Sequence, residues 1–148
     1  MLLEFKDLLE NKLKNPNQIR FVAHNGKEFD YPYICRRMLI LGIDLPPVLE
    51  VRDKKPWEIQ HLDTMNMWKF GDYKNFTSLE LLAAVFDLPT SKDDIDGSQV
   101  GRVYYEEKNL KRIAYYCSKD VALTAEVYLC LLNLERIKRE NIIILDEK

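Results

Sequence analysis

Apolar residues at Leu2, Phe5, Leu9 and Leu13 recur at helical spacing, so the pattern predicts a helix over residues 2–13. Asn15-Pro16-Asn17 supplies its stop. Ile19 to Ala23 is rich in branched and aromatic side chains and predicts a short buried strand, broken by His24-Asn25-Gly26. Asp30 then opens a second helix. Pro32 fits its first turn, where a missing N–H costs nothing. Ile34, Met38 and Leu41 form its apolar face, and Gly42 is the expected stop. Pro46-Pro47 marks a loop, and Ile59 to Leu62 is a second strand ending at Asp63. Thr77-Ser78-Leu79-Glu80 has the form of a capping box for a helix from Ser78 to Phe86, with Pro89 beyond its end. Thr90 to Gly101 is polar and irregular. A long helix is predicted from about Asn109 to about Lys138, through Ile113, Val121, Ala125, Tyr128 and Leu132. The tail Ile142-Ile143-Ile144-Leu145 is apolar but too short to assign.

Strand, helix, strand and then helices describe an α/β layer. Two strands make a marginal sheet. Either helices dominate, or part of the parent domain lies outside these residues. No internal repeat, low-complexity tract or linker interrupts the pattern, and 148 residues suit one domain. With 47% hydrophobic and 31% charged residues the chain has the make-up of a soluble globular protein. No run approaches the roughly 20 apolar residues of a membrane span, so no membrane association is expected. The charged start, Met1-Leu2-Leu3-Glu4-Phe5-Lys6-Asp7, is not a signal peptide, which points to the cytoplasm. Cys35, Cys117 and Cys130 are scattered and lack the spacing of a zinc site; they are expected to be buried or partly buried thiols in a reducing compartment. The net charge of −2 gives no general support to nucleic-acid binding, so any such function has to rest on a site.

Two places carry candidate chemistry. Asn25-Gly26-Lys27-Glu28-Phe29-Asp30 follows a strand and begins a helix, where α/β sheets gather ligands. Asp30 there either caps the helix, as Asp often does, or offers a carboxylate to a cation. Tyr116 and Asp120, in Tyr116-Cys117-Ser118-Lys119-Asp120, lie one helical turn apart on one face. They are either a half-buried Tyr beside a solvated Asp or part of a site. His24 and His61 abut strands with no acid–nucleophile pair in view and are expected to be structural. Arg36-Arg37 and Lys108 with Lys111-Arg112 are either solvated helix faces or phosphate contacts.

Taken together, NxxxFD at Asn25–Asp30 and YxxxD at Tyr116–Asp120 resemble the second and third motifs of the DEDD 3′–5′ exonucleases, which have an RNase H-like fold. The likeness is to the predicted 3′–5′ exonucleases related to the proofreading domain of family B DNA polymerases. It runs from about Phe5 to about Leu132. The His61-Leu62-Asp63 strand, the Ser78-Leu79-Glu80 helix and the loop from Ser91 to Ser98 share it. The resemblance implies two divalent cations, Mg²⁺ or Mn²⁺, that clamp the scissile phosphate through carboxylate ligands. It makes Asp30 and Asp120 metal ligands and Tyr116 the group that orients the attacking water, placing the chain in the tyrosine subclass (DEDDy). The histidine subclass carries its residue one position earlier, at what is here Tyr115. Asn25 and Phe29 would contact the 3′ end of single-stranded DNA or RNA, Phe29 by stacking; a buried aromatic packing the helix is the other expectation for Phe29.

The family's first motif, DxE at the end of the opening strand, should precede NxxxFD by several tens of residues. Only residues 1–24 precede Asn25, and Glu4, Asp7 and Glu10 form no DxE. The expectation is therefore a partial exonuclease domain over residues 1–148, N-terminally truncated, helix-dominated, with the second and third motifs but not the first. It should be weakly active or inactive, and could self-associate through an open sheet edge. The alternatives are an inactive remnant that binds nucleic acid or a protein, and a helix-rich interaction domain in which both motifs are accidental.

Overall fold

The computed structural model describes every residue except 14, 16, 17, 73, 91–93 and 145–148. Part of the expected Asn15-Pro16-Asn17 stop, the start of the loop from Ser91 and Leu145 lie outside the described residues. The chain divides into two compact units, Met1–Asp63 and Thr64–Lys148.

The first unit opens with α1, Leu2–Asp7, which widens into a π-helical stretch, Leu8–Lys12. Leu2, Phe5 and Leu9 turn inward as the spacing predicts, but Leu13 does not. Its backbone is already extended, so it leaves the stripe. β1, Val22–Ala23, leads through a turn into α2, Asp30–Ile40, and the chain returns to β2, Leu62–Asp63. β1 and β2 pair in parallel, Val22 beside Leu62 and Ala23 beside Asp63, as a strand–helix–strand crossover requires. Met38 and Leu49 close on Leu9, with Phe21, Ile34 and Cys35 around them. Leu41, expected on the inner face of α2, is exposed because the helix ends at Ile40 and Gly42 turns the chain at φ +68°.

In the second unit α3, Thr64–Lys69, α4, Leu79–Val85, and α5, Val100–Tyr105, pack against α6, Leu110–Leu131. The sequence pattern predicts neither α3 nor α5. Both are six residues long, too short to show a period. Leu82, Ala83, Leu88, Leu123 and Val127 form one core, with Trp68 against it. Ile95, Val103 and Tyr116 form another.

Two helix expectations need correction. The cap of α4 is Ser78, not Thr77: its Oγ accepts from the Leu81 N–H at 3.2 Å, while the Glu80 carboxylate hydrogen-bonds the Thr90 hydroxyl. α6 begins as expected at its cap Asn109, whose Oδ1 accepts from the Arg112 N–H at 3.0 Å. It stops at Leu131 rather than near Lys138, with Asn133 turning left-handed at φ 54°. Its buried line runs through Tyr116, Leu123 and Val127, so Val121 is 70% exposed and Leu132 is also outside.

Gly26 is the tightest backbone approach in the first unit. A Cβ there would stand 2.3 Å from the Cβ of Ala23, which no backbone can keep. Gly26→Ala is expected to lower stability by about 1–3 kcal/mol through overpacking. Ser78→Ala should cost about 1 kcal/mol through loss of the α4 cap. Urea titration of both variants checks the pair; a Gly26→Ala midpoint equal to the parent's would refute the crowding.

Candidate functional site

The turn between β1 and α2 is built around one buried carboxylate. Asp63, 2% exposed, ends β2 beside Ala23. Its Oδ1 accepts from the Asn25 N–H at 3.0 Å and its Oδ2 from the Lys27 N–H at 3.1 Å. These bonds hold Asn25 in the left-handed region at φ 61°, a conformation Asn tolerates better than most residues. Gly26 follows against Ala23, and its carbonyl accepts the Tyr31 N–H at 3.0 Å, joining the turn to α2. Asn25, Phe29 and Asp30 are thereby carried on one short segment.

Each has a defined setting. The Asn25 side-chain oxygen is buried and has no hydrogen-bond partner among the described residues. Such an acceptor costs on the order of 1–3 kcal/mol unless something donates to it. Phe29 is 66% exposed, so the expectation of a buried packing aromatic is wrong. It lies outside the core because it is the residue before the helix, and its ring stacks on Tyr33 at 6.3 Å and 10°. Asp30 is the first residue of α2 and not its cap: the cap position is Phe29, and no side chain caps there. Asp30 is exposed as a residue, yet surrounding protein withholds enough water to raise its carboxyl above the ordinary range. The Asp63 charge adds to the rise, and the Asp30 N–H offsets part of it.

In the second unit, Tyr116 packs on Ile95 and Val103, and its hydroxyl hydrogen-bonds the Asp120 carboxylate one turn on. Burial raises the phenol well above its ordinary range, and the bond and charge of Asp120 raise it further. The phenol thus stays protonated at neutral pH and acts as a donor. Gly97 lies beside this hydroxyl. Asp120 is itself half-buried, and its backbone carbonyl accepts the Thr124 hydroxyl at 2.8 Å. Asn25, Phe29 and Asp30 belong to the first unit, Tyr116 and Asp120 to the second.

Asp63 is the residue that sequence reasoning undervalued; it read as a strand end. The available signal was a lone acid closing an apolar strand. His61 is buried between the rings of Phe21 at 4.9 Å and Tyr31 at 5.0 Å, with burial lowering its imidazole below its ordinary range. Arg112 is partly exposed but already engaged, bidentate to Asp94 at 2.7 Å and bonded to Glu107 at 2.6 Å, which removes it from the candidate phosphate contacts. Arg36 and Arg37 are exposed. None of the three cysteines is in a disulfide; Cys35 and Cys130 are partly buried as expected, whereas Cys117 is exposed because it lies on the outer face of α6. Within the described residues no three or more His, Cys, Asp or Glu side chains gather around a possible cation position. No described helix is long and apolar enough to cross a membrane.

Residues 4–141 match the family described as predicted 3′–5′ exonuclease related to the exonuclease domain of PolB. The chain belongs to that family. The chain is 25% identical over 127 residues to DNA polymerase 1 of Pyrococcus abyssi, an alignment covering 77% of the chain and 16% of the polymerase. It is 26% identical over 127 residues to a DNA polymerase of Pyrococcus glycovorans, with 77% and 16% covered. To a DNA polymerase of Pyrococcus horikoshii it is 26% identical over 128 residues, with 78% and 10% covered. The chain thus spans at most 16% of the length of these relatives. No solved structure matches it. The family implies an RNase H-like α/β fold, with which a parallel strand pair in a helix-rich chain is consistent. It also implies a nucleic-acid substrate.

A raised Asp30 carboxyl has a measurable consequence. A carboxyl that holds its proton more tightly folded than unfolded adds stability below the unfolded pKa of about 3.9, and that stability is lost as pH rises through the folded value. Asp30→Asn should therefore melt with the parent near pH 3.5 and above it at pH 7. Thermal melts across this range check it; a variant less stable than the parent at pH 7 contradicts the desolvated carboxylate.

Proposed function

We propose that residues 1–148 form part of a metal-dependent 3′–5′ exonuclease domain that hydrolyses phosphodiester bonds at the 3′ ends of single-stranded DNA or RNA. The observation that carries this is the Tyr116–Asp120 pair: a phenol kept protonated and bonded to a carboxylate, in a chain of the exonuclease family whose matched span includes both motifs. A random helix places a Tyr and an Asp one turn apart often; burying the phenol so that it must donate is more specific.

Asp30 and Asp120 are hard oxygen donors of the kind Mg²⁺ or Mn²⁺ selects, so they suit the family's cations. Two carboxylates are too few for two cations, and the remaining ligands are assigned to groups beyond Asp30 and Asp120. When bound, the cations would supply charge stabilisation at the scissile phosphate. The chain's own residues do the positioning. Tyr116 donates toward Asp120 in the resting protein and is free to turn the same proton toward the attacking water. It does not act as a base, since its pKa moves away from neutrality. Asn25, whose side-chain oxygen is buried and unpaired at rest, would accept the terminal 3′-OH once the turn exposes that oxygen. Phe29, exposed and already stacked on Tyr33, presents a π-face to the terminal base. The comparisons give no support to the inactive-remnant alternative. Self-association through the sheet edge has none either.

The test is digestion of a 5′-labelled single strand by the full chain with Mg²⁺ or Mn²⁺, alongside Mn²⁺ binding followed by electron paramagnetic resonance. Slow shortening from the 3′ end and weak Mn²⁺ binding are expected, both lost in Asp120→Asn. Tyr116→Phe should keep Mn²⁺ binding and lose about 10–100-fold in rate, as residues that orient a metal site do. Mn²⁺ binding that survives unchanged in both Asp30→Asn and Asp120→Asn would overturn the assignment.

A further inference from the structure

At the junction of α5 and α6 the second unit exposes two tyrosines beside two lysines. Tyr104 and Tyr105 close α5 with their rings 4.9 Å apart and at 90°, 52% and 77% exposed. With Lys108 and the 64% exposed Leu110 they line a shallow surface depression. Lys108 stands in the left-handed region at φ 52°, and the Asn109 N–H is tied to the Val103 carbonyl at 3.2 Å, so the backbone of this corner is fixed. Lys111, the second residue of α6, is exposed. The neighbouring acids are largely neutralised. Arg112 holds Asp94 and Glu107, and Arg102 reaches Glu107 at 3.5 Å. Glu106 is the remaining exposed acid. Lys108 and Lys111 make no ion pair with a described residue.

Exposed tyrosine faces beside unpaired lysines are complementary to a polyanion that also carries π-faces. We infer that Tyr104, Tyr105, Lys108 and Lys111 form a platform for single-stranded nucleic acid, with bases stacked on the tyrosines and phosphates held by the lysines. A protein partner would find the apolar rings but would need a run of acids to meet the lysines. A single strand supplies both along every nucleotide.

This inference rests on the exonuclease reading for its direction. Leu110 and Asp120 share α6, and the ten residue steps from one to the other rise roughly 15 Å at about 1.5 Å each. That is the length of four or five stacked nucleotides at about 3.4 Å each. The platform would thus hold the strand a few nucleotides upstream of the end being cut, and strands of two or three nucleotides would not reach it.

The test is fluorescence anisotropy of the full chain with 5′-fluorescein-labelled oligo-dT, 12 and 3 nucleotides long, in EDTA so that nothing is cut. Tyr104→Ala/Tyr105→Ala should weaken the 12-mer about tenfold or more, whereas Tyr104→Phe/Tyr105→Phe, which keeps the π-faces, should bind like the parent. Lys108→Gln/Lys111→Gln should flatten the dependence of log K on log salt by about 1.4, two phosphate contacts on a single strand at about 0.7 each. The 3-mer should not distinguish any of these. Far-ultraviolet circular dichroism confirms that the exposed substitutions leave the fold intact. Full 12-mer affinity in the alanine variant overturns the platform. If digestion by that variant persists, the exonuclease reading survives the loss. The expected drop in affinity, in a parent chain that binds no Mn²⁺ and cuts no strand, upholds the platform and removes the exonuclease reading.

Discussion

The first unit depends on a buried carboxylate that accepts two backbone N–H groups. Asp63 has left water almost completely, and a carboxylate does so only where charge-assisted hydrogen bonds replace its hydration. The Asn25 and Lys27 amides supply them, and they have no strand or helix ladder of their own to join. One interaction thus resolves two problems: a charge that needs donors and a turn that needs acceptors. Because Asp63 sits at the end of β2 beside Ala23, the turn is referenced to the sheet and not to solvent. Gly26 is the one residue small enough to lie against Ala23 while this happens. Phe29 at the cap position and Asp30 at the head of α2 inherit their places from that anchor.

The same charge also acts on its neighbour. Asp63 is part of what lifts the Asp30 carboxyl, so the group that positions Asp30 makes its ionised form less comfortable. A fold selected only for stability would place an asparagine there or turn the acid outward. The second unit shows a related arrangement. Tyr116 fills a core position against Ile95 and Val103, where Phe would pack as well, yet it keeps a hydroxyl whose partner is a half-buried acid. In both units a polar group is held where packing alone does not ask for one. Such sites are where function tends to be found.

The parts of the fold that could be read from sequence are those with a long period or a strong punctuation mark. Leu2, Phe5 and Leu9, the β1–α2–β2 order, the stop at Gly42 and the start of α6 at Asn109 all come from rules that act within a few residues. The failures have local causes. α3 and α5 are single short turns whose stability comes from packing on α6, which no window of that length reveals. Thr77 and Ser78 are equally good caps on paper, and only the hydrogen bond to Leu81 separates them. The face of α6 was misphased because Val121 is apolar but exposed, while the buried Glu126 is polar and accepts the Ile137 N–H at 3.1 Å, an interaction from beyond the helix. The motif residues were legible as types and spacings. Their settings were not: nothing in the letters says that Asn25 is left-handed, that Phe29 is outside, or that Asp63 holds the turn.

The charge balance bears on how such a chain could handle nucleic acid. With a net charge of −2 it cannot rely on a broad positive field to draw in a polyanion. Binding would have to be local, made where a few cations are unpaired and where rings offer contacts that salt does not screen. Arg112 shows how that economy operates: by binding Asp94 and Glu107 it is lost to any phosphate, but it also removes two acids from the neighbourhood of Lys108 and Lys111. The lysines are then more effective than their number suggests, because Glu106 is the main acid left whose repulsion they have to offset. A modest positive patch beside stacked rings also favours a strand that must move after each cut, since contacts of this kind are individually weak and tolerate any base.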